Sequence, residues 1–212
     1  MIIDMHNHTN ISSPCSVLYP EELIENAKIM GLDGICVTEH LTIEGATVAQ
    51  DIGRKMNFPV FRGIEARSDL GDMLVFGYYK DIPDRIALEN LCDSVHEAGG
   101  VVFAAHPYSS GGWNLYNAMQ ELDLDLDSDW DQIRGIRGLD GIEIINGSIH
   151  DKTNKRAKNL AEQMNIYGIG GSDAHSLDMI ARAATIFKKP IRTDAELVNA
   201  LKTGDYDAVY FR

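Results

Sequence analysis

Cysteine is scarce in this chain, and positive charge is scarcer than negative. Cys15, Cys36 and Cys92 are the only cysteines in 212 residues, and no Cys-x-x-Cys pair occurs. An odd, scattered set argues against a disulfide framework or a zinc ribbon. Cys36 and Cys92 sit in apolar runs and read as small core residues in a reducing compartment. Cys15 could bind a soft metal as a thiolate, but is read first as a turn or buried cysteine. Lysine and arginine number 19 against 32 acids, a net charge of −13. A protein that coats nucleic acid by neutralising phosphates needs the opposite balance, so no long nucleic acid is expected as a partner. A small phosphorylated substrate stays open, because bound divalent cations reverse the field of an acidic cleft. No apolar run approaches a membrane span, and no membrane partner is expected. The N-terminus lacks a basic segment followed by an apolar one, so a cytoplasmic protein is expected. Internal repeats and low-complexity linkers are absent. What is there, 44% apolar and 24% charged residues, is the composition of an ordinary globular protein. The length suits one domain over 1–212. Oligomeric state is not legible.

Short apolar runs alternate with helical stretches. Strands are expected at Ile2–Met5, Gly34–Thr38 and Val60–Ala66, with Met73–Tyr79 as an antiparallel partner after the Asp69-Leu70-Gly71-Asp72 turn. Further strands are expected at Val101–Ala105, Gly141–Ile145, Tyr167–Gly170 and Ala184–Phe187. Pro20 opens a helix that Gly31 ends, Asp84 caps one running to Ala98, and Lys152–Asn165 forms another. Thr193-Asp194-Ala195-Glu196 is a capping box for the last. Apolar strands separated by helices argue for a parallel sheet covered on its faces. Seven or eight such units suit a closed barrel. The acidic run Glu121–Asp129 reads as a solvated helix end or surface insertion, since an EF-hand spacing around a glycine is missing.

The informative feature is where the histidines fall. His6 and His8 follow the first strand, Glu39 and His40 the second, and Glu65 ends the third. His106 follows the Val101 strand, and Asp173 and His175 follow the Tyr167 strand. In a parallel α/β barrel those strand ends form one face. A lone His-x-His is a weak signal. Convergence of all these segments is strong, and it points to a metal site that activates water. Mixed imidazole and carboxylate donors suit Zn, Mn or Fe. His96 lies on a helix and is read as non-functional; His150 is read as a surface residue. Glu143 and Asn146 lie near the right face, with Asn146 read mainly as shaping a turn.

The blocks His6-x-His8-Thr9, Thr38-Glu39-His40, Gly63-Ile64-Glu65 with Ala105-His106-Pro107, and Gly171-Ser172-Asp173-Ala174-His175 resemble the PHP family of polymerase and histidinol phosphatase domains. The resemblance covers nearly the whole chain and is strongest to the small stand-alone phosphoesterases. It implies a distorted (β/α)7 TIM-like barrel with two or three divalent metals. The first would sit on His6, His8, Glu65 and Asp173. Glu65 would bridge to a second held by His106, and His40 and His175 would hold a third. Three departures stand out. The stretch Asn10–Ser16 offers no usual hard ligand for the third position, which predicts a weak, water-completed or empty site. Glu39 stands where Asp is commoner, with a role in orienting His40. No histidine lies between Glu65 and His106 at the expected place, where Tyr78 and Tyr79 occur. The expected activity is hydrolysis of a small phosphate ester. His175 or His40 would protonate the leaving oxygen, and Arg67 and Arg182 would bind phosphate. Two other readings compete: an amidohydrolase-like metal hydrolase, and a non-catalytic metal-binding or interaction module.

Overall fold

The computed structural model describes residues 1–212. Its strands are β1 (Ile2–Asp4), β2 (Gly34–His40), β3 (Val60–Ser68), β4 (Gly71–Phe76), β5 (Val101–Ala104), β6 (Gly141–Asn146), β7 (Tyr167–Gly171), β8 (Ala183–Phe187) and β9 (Tyr206–Tyr210). The helices are α1 (Pro20–Met30), α2 (Glu44–Lys55), α3 (Leu88–Glu97), α4 (Leu115–Glu121), α5 (Leu126–Asp129), α6 (Arg134–Arg137), α7 (Asp151–Met164) and α8 (Asp194–Thr203).

All nine strands form one sheet in the order β7-β6-β5-β4-β3-β2-β1-β8-β9. Its two ends curl together into a nearly closed barrel. Met5 N–H donates to Gly170 O at 3.4 Å and Asp173 N–H to His6 O at 2.8 Å. Gly170 N–H reaches Thr185 Oγ1 on β8 at 2.9 Å. The barrel is therefore the expected one and β4 is the expected antiparallel partner of β3, but the sheet is more mixed than a parallel one with a single reversed strand. β1-β2-β3 and β5-β6-β7 run parallel, whereas β4 is antiparallel to both neighbours, and β8 and β9 are antiparallel too. The cause is local. β3 and β4 are joined by a two-residue turn with Gly71 at φ +117°, too short for the crossover that parallel strands require.

Alternation along the strands divides the core. Leu74, Phe76, Val101 and Phe103 join Leu197, Val198 and Leu201 of α8 in one cluster. Met73, Val75, Val102 and Ala104 face the other way, into a cluster with residues of α3, α4 and α7. Strands buried on both faces explain the unbroken apolar run at Val101. α1 and α2 cover β2 and β3 through Leu23, Ile24, Ala46 and Ala49.

Several boundaries differ from expectation. Asp84 caps nothing; Ile86 bridges to Ser68, so the chain is still extended there and α3 starts at Leu88. Asp69 Oδ1 instead accepts the Leu88 N–H at 2.8 Å. Thr193 caps α8 as expected, but Glu196 reaches back to the Arg192 N–H rather than to that of Thr193. The acidic run spans the end of α4 and all of α5, anchored by the fully buried Leu126.

Candidate metal centre

His6 and His8 leave β1 on one side of the chain while Asn7 turns to the other. Asn7 Nδ2 donates to the carbonyls of Asp4 (3.3 Å) and Cys36 (3.1 Å), which pins the segment against β2. Both imidazoles are fully buried. Their protonation follows from their partners. His6 Nδ1 lies 3.0 Å from Glu143 Oε1, an atom that can only accept, so the proton sits on Nδ1. His8 Nδ1 lies 3.2 Å from Ser13 Oγ, and the single hydroxyl proton of Ser13 is given to Glu39. Ser13 must therefore accept from His8. This network assigns lone pairs to both Nε2 atoms.

Those two Nε2 atoms face each other at 3.0 Å. Glu65 Oε2 lies 3.5 Å from the first and 3.2 Å from the second, and Asp173 Oδ1 lies 3.4 and 3.5 Å away. Four electron-rich atoms thus converge with no hydrogen to share. Positive charge must sit among them, as protons or as a metal ion. For bonds of about 2.1 Å, donors are about 3.4 Å apart on a tetrahedron and about 3.0 Å apart on an octahedron. The observed 3.0–3.5 Å spacings fit a divalent cation.

In the metal-free chain the imidazoles take up protons instead. Burial opposes this at His6, but Asp173, Glu143 and Glu65 outweigh it and raise the pKa well above the usual value. His8 is raised likewise, against burial, by Asp173 and Glu65. Burial would push Glu65 and Asp173 up, yet the surrounding histidines hold both carboxyls below their ordinary range. Asp173 is set in place by a left-handed backbone (φ +53°), its N–H on His6 O, and the Asn146 amide 3.4 Å from Oδ2.

A second group lies on the other oxygen of Glu65. Oε1 is 3.0 Å from His106 Nε2, and a donor atom of Asp72 lies within 4.8 Å of both residues' donors. His106 has φ +28°, and its N–H donates to Glu143 Oε2 at 2.9 Å, so Glu143 positions two imidazoles at once. Burial and the Glu65 charge push Asp72 up to about 6.

In the third group, donor atoms of His8, His40 and His175 lie within 4.8 Å of one another. The His8 ring centroid lies 4.4 Å from each of the other two, which are 6.3 Å from one another. His40 Nδ1 is 3.0 Å from Glu65 Oε2. His175 Nδ1 donates to Asp173 O at 3.0 Å, which leaves its Nε2 free.

The structure thus brings together His6, His8, His40, Glu65, His106, Asp173 and His175. It departs from expectation at Glu39 and at Arg182. Glu39 does not orient His40; its carboxylate takes the N–H and hydroxyl of Thr9 and the hydroxyl of Ser13, and so acts on His8. The stretch 10–16 offers no hard ligand, as expected, and places the Cys15 Sγ 3.2 Å from His40 Nε2. Tyr78 packs against the apolar core and Tyr79 lies under the Arg62 guanidinium at 4.4 Å, so neither replaces the absent histidine. Arg67 adjoins the centre through Asp72 at 3.7 Å. Arg182 does not; its guanidinium is held by Asp178 Oδ2 (3.0 Å) and Asp178 O (3.2 Å). His96 pairs with Asp140, and His150 precedes α7. Asp72, Ser13 and the double role of Glu143 were missed. The β3–β4 pairing, which sets Asp72 opposite Arg67, is what puts Asp72 on the Glu65 face.

A nearly closed mixed barrel of this kind is the fold of PHP-like and amidohydrolase structures. The chain belongs to the PHP family: the PHP domain model matches residues 4–169, and a PHP-associated model matches residues 151–206. An uncharacterised protein of Methanocaldococcus jannaschii is 28% identical over 160 residues, covering 71% of this chain and 85% of that one. The PolC-type DNA polymerase III of Oceanobacillus iheyensis is 34% identical over 64 residues, 30% of this chain and 4% of the polymerase. Among solved structures, a two-domain Bacteroides vulgatus protein containing a predicted PHP-like metal-dependent phosphoesterase superposes with TM-score 0.72 at 18% identity. That match covers all of this chain, which spans 65% of the two-domain protein. Endonuclease Q, solved with a 27-mer duplex bearing an abasic lesion, gives TM-score 0.61 at 16% identity, over 96% of this chain and 57% of its own. No helix is long and apolar enough to cross a membrane.

Proposed function

We propose that the protein hydrolyses a small phosphate ester with the help of two or three divalent cations, Zn, Mn or Fe. The observation that carries this reading is the pair of lone-pair nitrogens of His6 and His8 at 3.0 Å, ringed by Glu65 and Asp173 oxygens. In this reading His6, His8, Glu65 and Asp173 hold the first cation. Glu65, His106 and Asp72 would hold the second, Glu65 being the carboxylate common to both groups. When bound, the cations lower the pKa of water and polarise a phosphoryl oxygen. Glu143 and the Glu39–Ser13 pair fix the tautomers that leave the Nε2 atoms free to bind metal.

Within the cluster, His40 and His175 are the imidazoles most open to solvent, 34% and 25% exposed. Either one, where it is not taken up as a ligand, would supply the proton to the leaving oxygen. Arg67, 46% exposed beside Asp72, is the guanidinium in reach of a bound phosphate. The acidic balance of the chain favours a small substrate over a polymer. The test is turnover of p-nitrophenyl phosphate, mononucleotides and histidinol phosphate by protein loaded with Mn or Zn, beside metal content. Activity that survives complete metal removal, or none in protein shown to be loaded, refutes the proposal.

A further inference from the structure

We propose that Cys15 is a thiolate ligand of a third cation shared with His40 and His175. The proposal rests on reading the strand-end cluster as a metal centre and supplies the donor that the stretch 10–16 lacked. Cys15 Sγ stands 3.2 Å from His40 Nε2. With Zn–S near 2.3 Å and Zn–N near 2.05 Å, the two donors are about 3.1 Å apart at a right angle and about 3.6 Å apart at the tetrahedral angle. The observed spacing falls between these limits.

The loop holds the sulfur there on purpose-built geometry. Ser13-Pro14-Cys15-Ser16 is a β-turn closed by Ser16 N–H on Ser13 O at 2.9 Å, with proline at the position that favours it. Each end of the turn is tied to the cluster. Ser13 Oγ bonds Glu39, His8 Nδ1 and the His40 N–H. Ser16 Oγ donates to His8 O at 2.9 Å, and Val17 N–H donates to His175 O at 3.0 Å. The segments that carry His8, His40 and His175 therefore fix the position of Cys15. Cys36 and Cys92 are buried elsewhere, with Met5 Sδ and Gly135 O as their nearest polar partners.

The chemistry balances without an oxidant. The thiol S–H bond breaks, a sulfur–metal bond forms, and the proton leaves to solvent. A thiolate beside two imidazoles selects Zn, Co or Fe(II) over Mg or Mn at this position.

The experiment is X-ray absorption on the full-length protein loaded with zinc, with the near-ultraviolet spectrum of the cobalt form in parallel. The expected result is a sulfur scatterer at about 2.3 Å and a sulfur-to-cobalt charge-transfer band. Both disappear in Cys15→Ser, together with one bound ion per chain, and both persist in Cys36→Ala and Cys92→Ala. Zinc-loaded wild type with only nitrogen and oxygen neighbours overturns the proposal and leaves the metal centre standing. A charge-transfer band that survives Cys15→Ser also overturns it. A wild-type chain that binds no metal overturns both readings. The wild-type spectrum decides the matter even if the serine variant folds poorly.

Discussion

Gly45 faces the carboxylate of Glu39 so closely that a methyl group in its place sits 2.6 Å from Oε1 and 2.9 Å from Cδ. The glycine lies inside α2, where alanine is intrinsically favoured by about 1 kcal/mol. The space, not the helix, demands glycine. Gly45→Ala must push Glu39 away from Ser13, which then keeps its own proton and no longer has to accept from His8. We expect metal affinity at the His6–His8 position to fall roughly 10- to 100-fold, the range for lost outer support of a metal ligand. Competition with a coloured chelator measures it. An unchanged affinity means that Glu39 and Ser13 do not set the His8 tautomer.

The same histidines make the metal-free protein sensitive to alkali. Burial opposes protonation of His106, but Glu65, with Asp173 and Glu143, raises its pKa to about 9. The folded value exceeds the unfolded value of about 6.5. Its contribution is thus fully present below about pH 6.5 and is lost as the pH climbs through about 9. The window corresponds to ~3 kcal/mol at most. His6 and His8 act in the same direction. Asp4, pushed up to about 6 by burial, loses its contribution between about pH 3.8 and 6, below this window. Denaturant midpoints in the presence of EDTA should therefore fall from pH 6.5 to 9. Metal-loaded protein should show the opposite trend, because its ligands bind as free bases. A flat metal-free profile rejects the assignment of protons to this cluster.

Asp72→Asn separates the second position from the first. The amide keeps the shape but loses the charge, and Asp72 touches neither His6 nor His8. Bound metal should drop by one ion per chain while the tightest site keeps its affinity. Isothermal titration resolves the two steps. Loss of both together would show that Asp72 supports the fold of the centre rather than one ion.

Much of this centre was legible because its donors sit at strand ends beside apolar runs that the eye can find. Asp72 was not, since Asp69-Leu70-Gly71-Asp72 reads as a turn. Only the β3–β4 register, with Arg67 opposite Asp72 and Glu65 opposite Leu74, puts the Asp72 side chain on the Glu65 face. α2 escaped for a different reason. Its buried face is Gly45, Ala46, Ala49 and Gly53, too small to give a hydrophobic period. β9 mixes Asp207 and Ala208 with aromatics and gains strand character only by pairing with β8. The reversed direction of β4 was legible, because the Asp69-Leu70-Gly71-Asp72 turn leaves no room for a parallel crossover; that β8 runs antiparallel to β1 was not marked by any pattern. For Cys15 the thiolate reading was open from the sequence, but its neighbour His40 was not, since the turn and β2 meet only in the fold.

The two candidate phosphate-binding arginines differ in how firmly they are held. Arg182 Nη2 and Nε are both engaged by Asp178, at 3.0 and 3.2 Å. Arg67 only approaches Asp72 and Asp84, at 3.7 Å each, on an exposed side chain. A guanidinium without a close partner gives up little to bind a phosphoryl oxygen, whereas one already satisfied must break hydrogen bonds first. Losing a hydrogen bond to a charged group costs about 1.5–3 kcal/mol, or roughly 10- to 150-fold in binding. Arg67→Ala should raise KM by about that factor and leave kcat nearly unchanged, because the contact is made equally in ground and transition states. Arg182→Ala should leave both constants as they are. Steady-state kinetics of the two variants, with metal content matched, gives the answer. A larger effect at Arg182 would mean that substrate reaches the side of the barrel where β8 begins.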